Sequence, residues 1–287
     1  MKRSGRLASS RGLVAASPGA MTPEQQFSRQ LAVLRAEAES ACQFFYGDLA
    51  MHEAALRHPR VHQMFNQTTG WWITVNRALQ DSSFMAIGRV FDQTSSHGVD
   101  RLLKIMETNP DIFSKAALLQ RKGKGVLSRM SPDLVESAYE LRIADIRGLR
   151  KKVADMRRVY ERAYKDVRDR VIAHRELADD DDETRGLFSK TNKAELERLL
   201  HFLVGLHDSL LRLFVDGHKP VIRRRRKSIK KDGRLVVPRF GIKAFPQAFV
   251  LTVVDALRRA AVASFPNRSA STGVRRPTKA RTVNRPR

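Results

Sequence analysis

Residues 146–176 read IRGLRKKVADMRRVYERAYKDVRDRVIAHRE, and this stretch carries the helical pattern that decides the fold. Apolar side chains recur in it every three or four residues, which predicts a helix with one buried face. These side chains are Ile146, Leu149, Val153, Met156, Tyr160, Ala163 and Val167. Continued further, the same spacing reaches Arg170 and His174, where core contacts are expected. Because burying a charge without a partner is costly, this arrangement indicates a functional role.

Helical spacing recurs along most of the chain. Thr22 and Pro23 are typical of a helix start, and the apolar spacing that follows predicts a helix to about residue 56. Further helices are predicted over residues 71–93, 99–107, 111–119, 193–215 and 245–262. Apolar alternation long enough for a sheet core does not occur, although residues 235–237 allow a short strand. We therefore predict an all-α domain.

The long helical segment has predicted boundaries on both sides. Ser131 and Pro132 are typical of an N-cap and a first helical position. Gly148 lies within the segment and is a candidate break. The acidic cluster at 179–183 is predicted to end the helix as a solvated loop, which would repel RNA or bind a basic tail.

Positive charge is concentrated at the two ends of the chain. The net charge is +24, from 54 basic and 30 acidic residues. Residues 1–20 hold four basic and no acidic residues, and residues 218–287 hold 20 basic and two acidic, which leaves 30 basic against 28 acidic between them. The ends therefore predict a sequence-independent attraction to RNA or DNA, or alternatively a solubilising or ribosome-adhering extension. The densest run is Arg223, Arg224, Arg225, Arg226 and Lys227.

Charge and pattern together predict three regions. Residues 1–21 form a disordered basic N-terminus, with either Met1 or Met21 as the translation start. Residues 22–217 form a helical bundle. Residues 218–287 form a basic, flexible C-terminal extension with one helix near 245–262.

Composition excludes several classes of protein. Cys42 is the only cysteine, so there is no disulfide framework and a reducing compartment is expected. No run of about 18 apolar residues is present, which argues against a membrane protein. We expect a cytoplasmic protein without a metal or cofactor, because no dense carboxylate or Cys/His cluster occurs.

Two motifs carry a family resemblance. Arg168 and His174 lie six residues apart near a helix end, and the aromatic-rich helix before them closes on Arg89, Val90, Phe91 and Asp92. This combination resembles the AbiU-type abortive-infection branch of the HEPN superfamily, over roughly residues 25–215. The loose Arg/His pattern also fits Arg57 with His62 and Arg212 with His218, so Asp169, Ala173 and the 89–92 element distinguish the first pair.

The resemblance implies an HEPN-like helical bundle that cleaves RNA without a metal ion. It further implies a homodimer whose motifs share a cleft, a toxin-like role in phage defence and an antitoxin partner. In this chemistry a histidine acts as general base or acid towards the 2′-hydroxyl, and an arginine holds the phosphate. His174 and Arg168 are the expected catalytic pair, and Asp169 is expected to order an arginine or the backbone. The expected products carry a 2′,3′-cyclic phosphate and a 5′-hydroxyl.

Helical geometry qualifies this assignment. Six residues of a regular α-helix turn through about 600°, so Arg168 and His174 point about 120° apart. A distorted helix end or a second chain is needed to bring both onto one phosphate. Arg170 lies four residues before His174 on the same face and is the alternative phosphate ligand.

Each of these features also has a purely structural interpretation. His174 suits a helix C-cap, where the dipole favours a histidine. Arg89 and Asp92 suit an ion pair within the core that orients helices. Trp71 and Trp72 suit core or interface anchors, although exposed rings also stack on bases. The alternative function is thus a non-catalytic helical module that binds nucleic acid through its basic ends.

Overall fold

The computed structural model describes residues 21–123, 135–174, 181–222 and 245–264. Within these ranges the longer elements are all helices and no strand occurs, so the all-α prediction is confirmed. The helices are α1 (Pro23–Arg57), α2 (Pro59–Gln67), α3 (Thr69–Phe91), α4 (Val99–Thr108), α5 (Lys115–Gly123), α6 (Ile143–Tyr160), α7 (Asp181–Ser189), α8 (Lys193–Asp216) and α9 (Phe245–Ser264). A 3-10 turn spans Pro110–Phe113, and two π-helical segments, Glu161–Lys165 and Val167–Ala173, continue α6.

The helix starts and ends follow ordinary capping chemistry. Thr22 and Gln25 satisfy each other's main-chain N–H groups at the start of α1, at 2.9 and 3.3 Å, so the predicted start is confirmed. At its end, α8 closes on Gly217 with a φ of 64°, a left-handed conformation that favours glycine. A Cβ there would also lie 2.6 Å from the Cβ of Ala138 and 2.9 Å from Leu118.

Two predictions for the first half of the chain differ from the structure. The prediction missed α2, which begins at Pro59 because proline suits the first turn of a helix. The single helix predicted over 111–119 is a 3-10 turn followed by α5. Ser114, which separates them, is extended, and its Oγ accepts a hydrogen bond from the N–H of Ala117 at 3.2 Å.

The predicted long helical segment is interrupted, and part of its predicted end is helical. Residues 138–142 are not helical, and α6 begins at Ile143, where Arg142 and Asp145 form a capping box; Gly148 does not break the helix. Residues 131–134 lie outside the described residues. The solvated loop predicted at the acidic cluster is wrong for residues 181–183, which form the first turn of α7. Carboxylates are favoured there because the N-terminal end of a helix dipole is positive.

The described residues form two compact units, and α1 and α3 each contribute to both. The first unit holds residues up to Cys42 and from Asp81 to Ile222. Its core contains the rings of Phe27, Phe113 and Phe214, with the Phe27 centroid 5.0 Å from each of the others. Each fully buried side chain of this size contributes about 1.5–3 kcal/mol to folding.

The second unit holds Gln43–Gln80 and α9. Here α9 packs on α2. Ala54, Val61 and Ala261 are fully buried in this core, and Phe65 and Leu257 pack against them. The helix near the C-terminus is thus an integral part of this core. The predicted basic run at 223–227, the short strand at 235–237 and residues 1–20 and 265–287 lie outside the described residues.

Candidate active site

The segment that carries the motif is π-helical. After Tyr160 the helix widens, and the N–H of His174 donates to the carbonyl of Asp169, five residues earlier, at 3.0 Å. This bond places His174 one turn above Asp169 and Arg170 and leaves Arg168 on a different side. The helix end is therefore distorted, and Arg168 faces Gly88 of α3. Short π-helical insertions occur frequently at functional sites.

The widened helix also changes which side chains are buried. The predicted apolar face is buried as far as Val167, apart from a half-buried Met156. Arg170 is only half-buried and His174 is exposed, so the prediction that both occupy core positions is wrong. The reason is that a π-helix has more residues per turn, which shifts the phase of the pattern after Tyr160. His174 therefore lies at the surface of the described residues.

Arg168 is held by two carboxylates. Its Nε and Nη2 atoms each lie 2.5 Å from Oδ1 of Asp169, and Nη1 lies 3.7 Å from Oδ2 of Asp92. The side chain is 17% exposed. Burial lowers the pKa of the guanidinium, but the neighbouring carboxylates and Tyr160 more than offset this and raise it. Arg168 is therefore a fixed, permanently charged group.

Gly88 of α3 makes room for Arg168. A Cβ atom at this position would lie 2.7 Å from Nη1 of Arg168, closer still to its Cδ, and 3.0 Å from the hydroxyl of Tyr160. Tyr160 is buried and stacks on Phe91, with ring centroids 5.7 Å apart. Burial raises the pKa of the Tyr160 hydroxyl above its usual range, so it remains protonated. Arg168 is thus enclosed between α3 and the widened helix.

Asp92 joins the two sequence motifs. The main-chain N–H and the hydroxyl of Thr94 donate to its Oδ1 at 2.9 and 2.8 Å, and these bonds, with Arg168, lower its pKa. Arg89 does not take part, because it forms a bidentate pair with Glu37 at 2.7 and 2.9 Å and is 51% exposed. The predicted Arg89–Asp92 pair within the core is therefore wrong. Asp92 instead pairs with Arg168.

The predicted residues Asp169 and Arg170 each pair with a further charged side chain. Lys165 donates to Oδ2 of Asp169 at 2.7 Å, which ties Asp169 to a second cation. Arg170 pairs with Glu183 of α7 at 2.7 Å. The alternative phosphate ligand is thus engaged with the acidic cluster, and His174 lies one turn above it. Arg168, Asp169 and Asp92 are brought together, whereas Arg89 lies apart from them.

Several residues of this site were not singled out from the sequence. Gly88 lies within an aromatic-rich helix and Tyr160 within an apolar face, so neither carries a signal of its own. Lys165 was detectable, because its spacing of four from Asp169 is typical of a helical ion pair. Arg157 is buried and donates to the carbonyl of Phe91 at 3.2 Å while pairing with Asp100. It ties the end of α3 to α6 and so supports Asp92.

The site should be sensitive to acid. Burial raises the pKa of Asp169, but hydrogen bonds from Lys165 and Arg168 outweigh it, so the pKa is lowered. A lowered carboxyl pKa in the folded state gives stability that is present above the unfolded value, about 4, and is lost as the pH falls through the folded value. We expect the free energy of unfolding to fall between about pH 5 and 3, and Asp169→Asn to reduce that fall by about 1 kcal/mol.

Urea unfolding at both pH values measures this effect. Asp166→Asn is the matched control, because Asp166 is exposed in the same segment. An equal reduction in both variants would contradict a specific contribution of Asp169.

Neither a metal site nor a membrane span is found in the part of the chain that the structure describes. No group of three or more His, Cys, Asp or Glu side chains is placed there to hold a metal ion. No helix in those ranges is long and apolar enough to cross a membrane.

Comparison with known proteins identifies the family. No curated protein and no solved structure matches the chain. The model of the HEPN family AbiU2 matches residues 24–231, which include all but the first residue of α1, all of α2 to α8 and the whole candidate site. The chain therefore belongs to the AbiU2 family of HEPN proteins.

Proposed function

We propose that this protein is a metal-independent endoribonuclease that uses His174 and Arg168. The observation that carries the proposal is the accessible ring of His174 at the end of a π-helical segment that also holds Arg168 in a fixed position. Family membership supports an abortive-infection function of HEPN type. A toxin-like role in phage defence, an antitoxin that restrains it and action in the cytoplasm belong to the same proposal.

The chemistry assigns one task to each side chain. His174 removes the proton of the 2′-hydroxyl, whose oxygen attacks the adjacent phosphorus and expels the 5′-oxygen of the next nucleotide. The protonated His174 ring, or water, then donates a proton to that 5′-oxygen. Arg168 neutralises the charge that develops on the phosphate oxygens, and Asp169 and Asp92 hold its guanidinium in place. The products are a 2′,3′-cyclic phosphate and a 5′-hydroxyl. Arg170 is the alternative phosphate ligand, and its pairing with Glu183 must open for it to act.

The proposal requires two chains. Within one chain the main-chain bond from His174 to Asp169 places the histidine one turn above Asp169 and Arg170, while Arg168 faces α3. Arg168 of one protomer and His174 of a second can meet on one phosphate when the two helix ends face each other. We therefore propose a homodimer with composite sites.

Mixing two inactive variants tests the composite site. Arg168→Gln and His174→Ala homodimers should each lose RNA cleavage, measured with labelled RNA in the presence of a chelator. After subunit exchange, half of the dimers are mixed, and each mixed dimer contains one site with both native residues. We expect recovery of about a quarter of the wild-type rate, since one of two sites works in half of the dimers. An exchanged mixture that stays inactive would refute a site shared between chains.

A non-catalytic binding module is the second candidate, and the double carboxylate contact of Arg168 favours it. An arginine that is 17% exposed and paired with Asp169 has a structural role whether or not RNA is cut. In this case the protein leaves RNA intact and binds it through its basic ends. Neutralising residues 223–227 should then weaken RNA binding, whereas His174→Ala should not. Deleting all of 218–287 is not a usable test, because it removes α9 from the core of the second unit.

A further inference from the structure

A cavity lies in the first unit, apart from the Arg168 cluster. It has a volume of about 320 Å³ and lies between the first turns of α1, the loop from α3 to α4, and α4 itself. Its polar lining includes Arg29, Gln30, Ser96, His97 and Arg101. None of the proposed catalytic residues lines it.

The cavity carries uncompensated positive charge. Arg29 and Arg101 are exposed, and neither forms an ion pair with any other described residue. This distinguishes them from Arg35 and Arg89, which pair with glutamates at 2.8 and 2.7 Å. No carboxylate from the described residues lines the cavity. Two guanidinium groups beside one concave surface favour an anionic ligand.

Neighbouring groups add fixed hydrogen-bond donors. Gln30 is nine-tenths buried, and its Nε2 lies 3.3 Å from Nδ1 of His97, which holds the ring. With the amide as donor, Nδ1 accepts, which leaves Nε2 as the ring nitrogen that carries a hydrogen. The N-terminus of α4 follows at Val99 without a capping side chain, and Asp100 in its first turn is paired with Arg157.

We propose that this cavity binds a phosphate group, carried either by a free nucleotide or by the 5′ end of an RNA. Arginine forks match phosphate oxygens bidentately, and the histidine and serine supply further donors. The volume lies at the lower limit for ligand sites, which suits one phosphate with its sugar and excludes a longer stretch of RNA. This site stands independently of RNA cleavage, because it uses none of the residues assigned to that reaction.

Calorimetric titration with 5′-AMP at constant ionic strength tests the site. Arg29→Gln combined with Arg101→Gln should weaken binding at least tenfold. The matched control is Arg147→Gln with Lys151→Gln, which removes two exposed charges from α6 and should change the dissociation constant less than twofold. Because the basic ends are identical in all three proteins, their contribution cancels. Equal weakening in both double variants, or no 5′-AMP binding by the wild type, overturns the proposal.

A second pair of probes distinguishes the two sources of phosphate. Short 2′-O-methyl RNAs, which cannot be cleaved at the 2′-hydroxyl, are compared with a 5′-phosphate and with a 5′-hydroxyl. Tighter binding of the phosphorylated RNA, lost in the Arg29/Arg101 variant, supports recognition of an RNA end. Equal binding of the two RNAs, with 5′-AMP still sensitive to the variant, supports a free nucleotide.

Discussion

His174→Ala is expected to lower the rate of RNA cleavage by about 100-fold or more, because a positioned general acid or base contributes about 10² to 10⁴ to such a reaction. The fold should not change. The ring is exposed, and the turn is closed by the main-chain N–H of residue 174, which alanine retains. The free energy of unfolding should therefore stay within about 0.5 kcal/mol of wild type. Gel analysis of labelled RNA and urea unfolding measure the two quantities.

The chain contains its own control for this experiment. His62 is also exposed and follows Arg57 with similar spacing, so it fits the loose motif without the context of residues 168–174. His62→Ala should cleave RNA at the wild-type rate. If both variants retain full activity, or if the wild-type protein leaves RNA intact, the nuclease proposal fails and the binding module remains.

Gly88→Ala is expected to destabilise the protein by about 1–3 kcal/mol, the usual cost of adding a group to a filled space. The new Cβ would lie 2.7 Å from Nη1 of Arg168 and 3.0 Å from the Tyr160 hydroxyl. Arg168 must then leave Asp169 and Asp92, so RNA cleavage should fall as well. Such a loss of stability would be unusual, because replacing glycine by alanine within a helix normally stabilises the helix.

Gly148→Ala is the matched control for the change at Gly88. Gly148 lies inside α6, and a Cβ there would have no neighbour within 4 Å. Its replacement should raise the free energy of unfolding by about 0.5–1 kcal/mol. In an Arg168→Ala background only the 3.0 Å approach to the Tyr160 hydroxyl remains, so Gly88→Ala should then cost less than in the native background. If Gly88→Ala is as stabilising as Gly148→Ala in the native background, Arg168 does not occupy the space above Gly88.

The helices were predictable because their signals are local. Apolar spacing and caps specify α1, α4 and α8 within a few residues, since both depend on neighbours along the chain. The start of α6 was less accessible, because Arg142 and Asp145 form its capping box and arginine is not a typical N-cap residue. The π-helical turns after Tyr160 left no recognisable local mark.

The sequence by itself determined the all-α class, the family motifs and the concentration of positive charge at the two ends. These properties follow from composition and from spacing along one chain. Only the tertiary structure decided how the motif residues are paired: Arg168 with Asp169 and Asp92, Arg89 with Glu37, and Arg170 with Glu183. Ion pairs between distant segments depend on helix packing and on the phase of each helix. The π-helical widening after Tyr160 changed that phase and placed His174 at the surface.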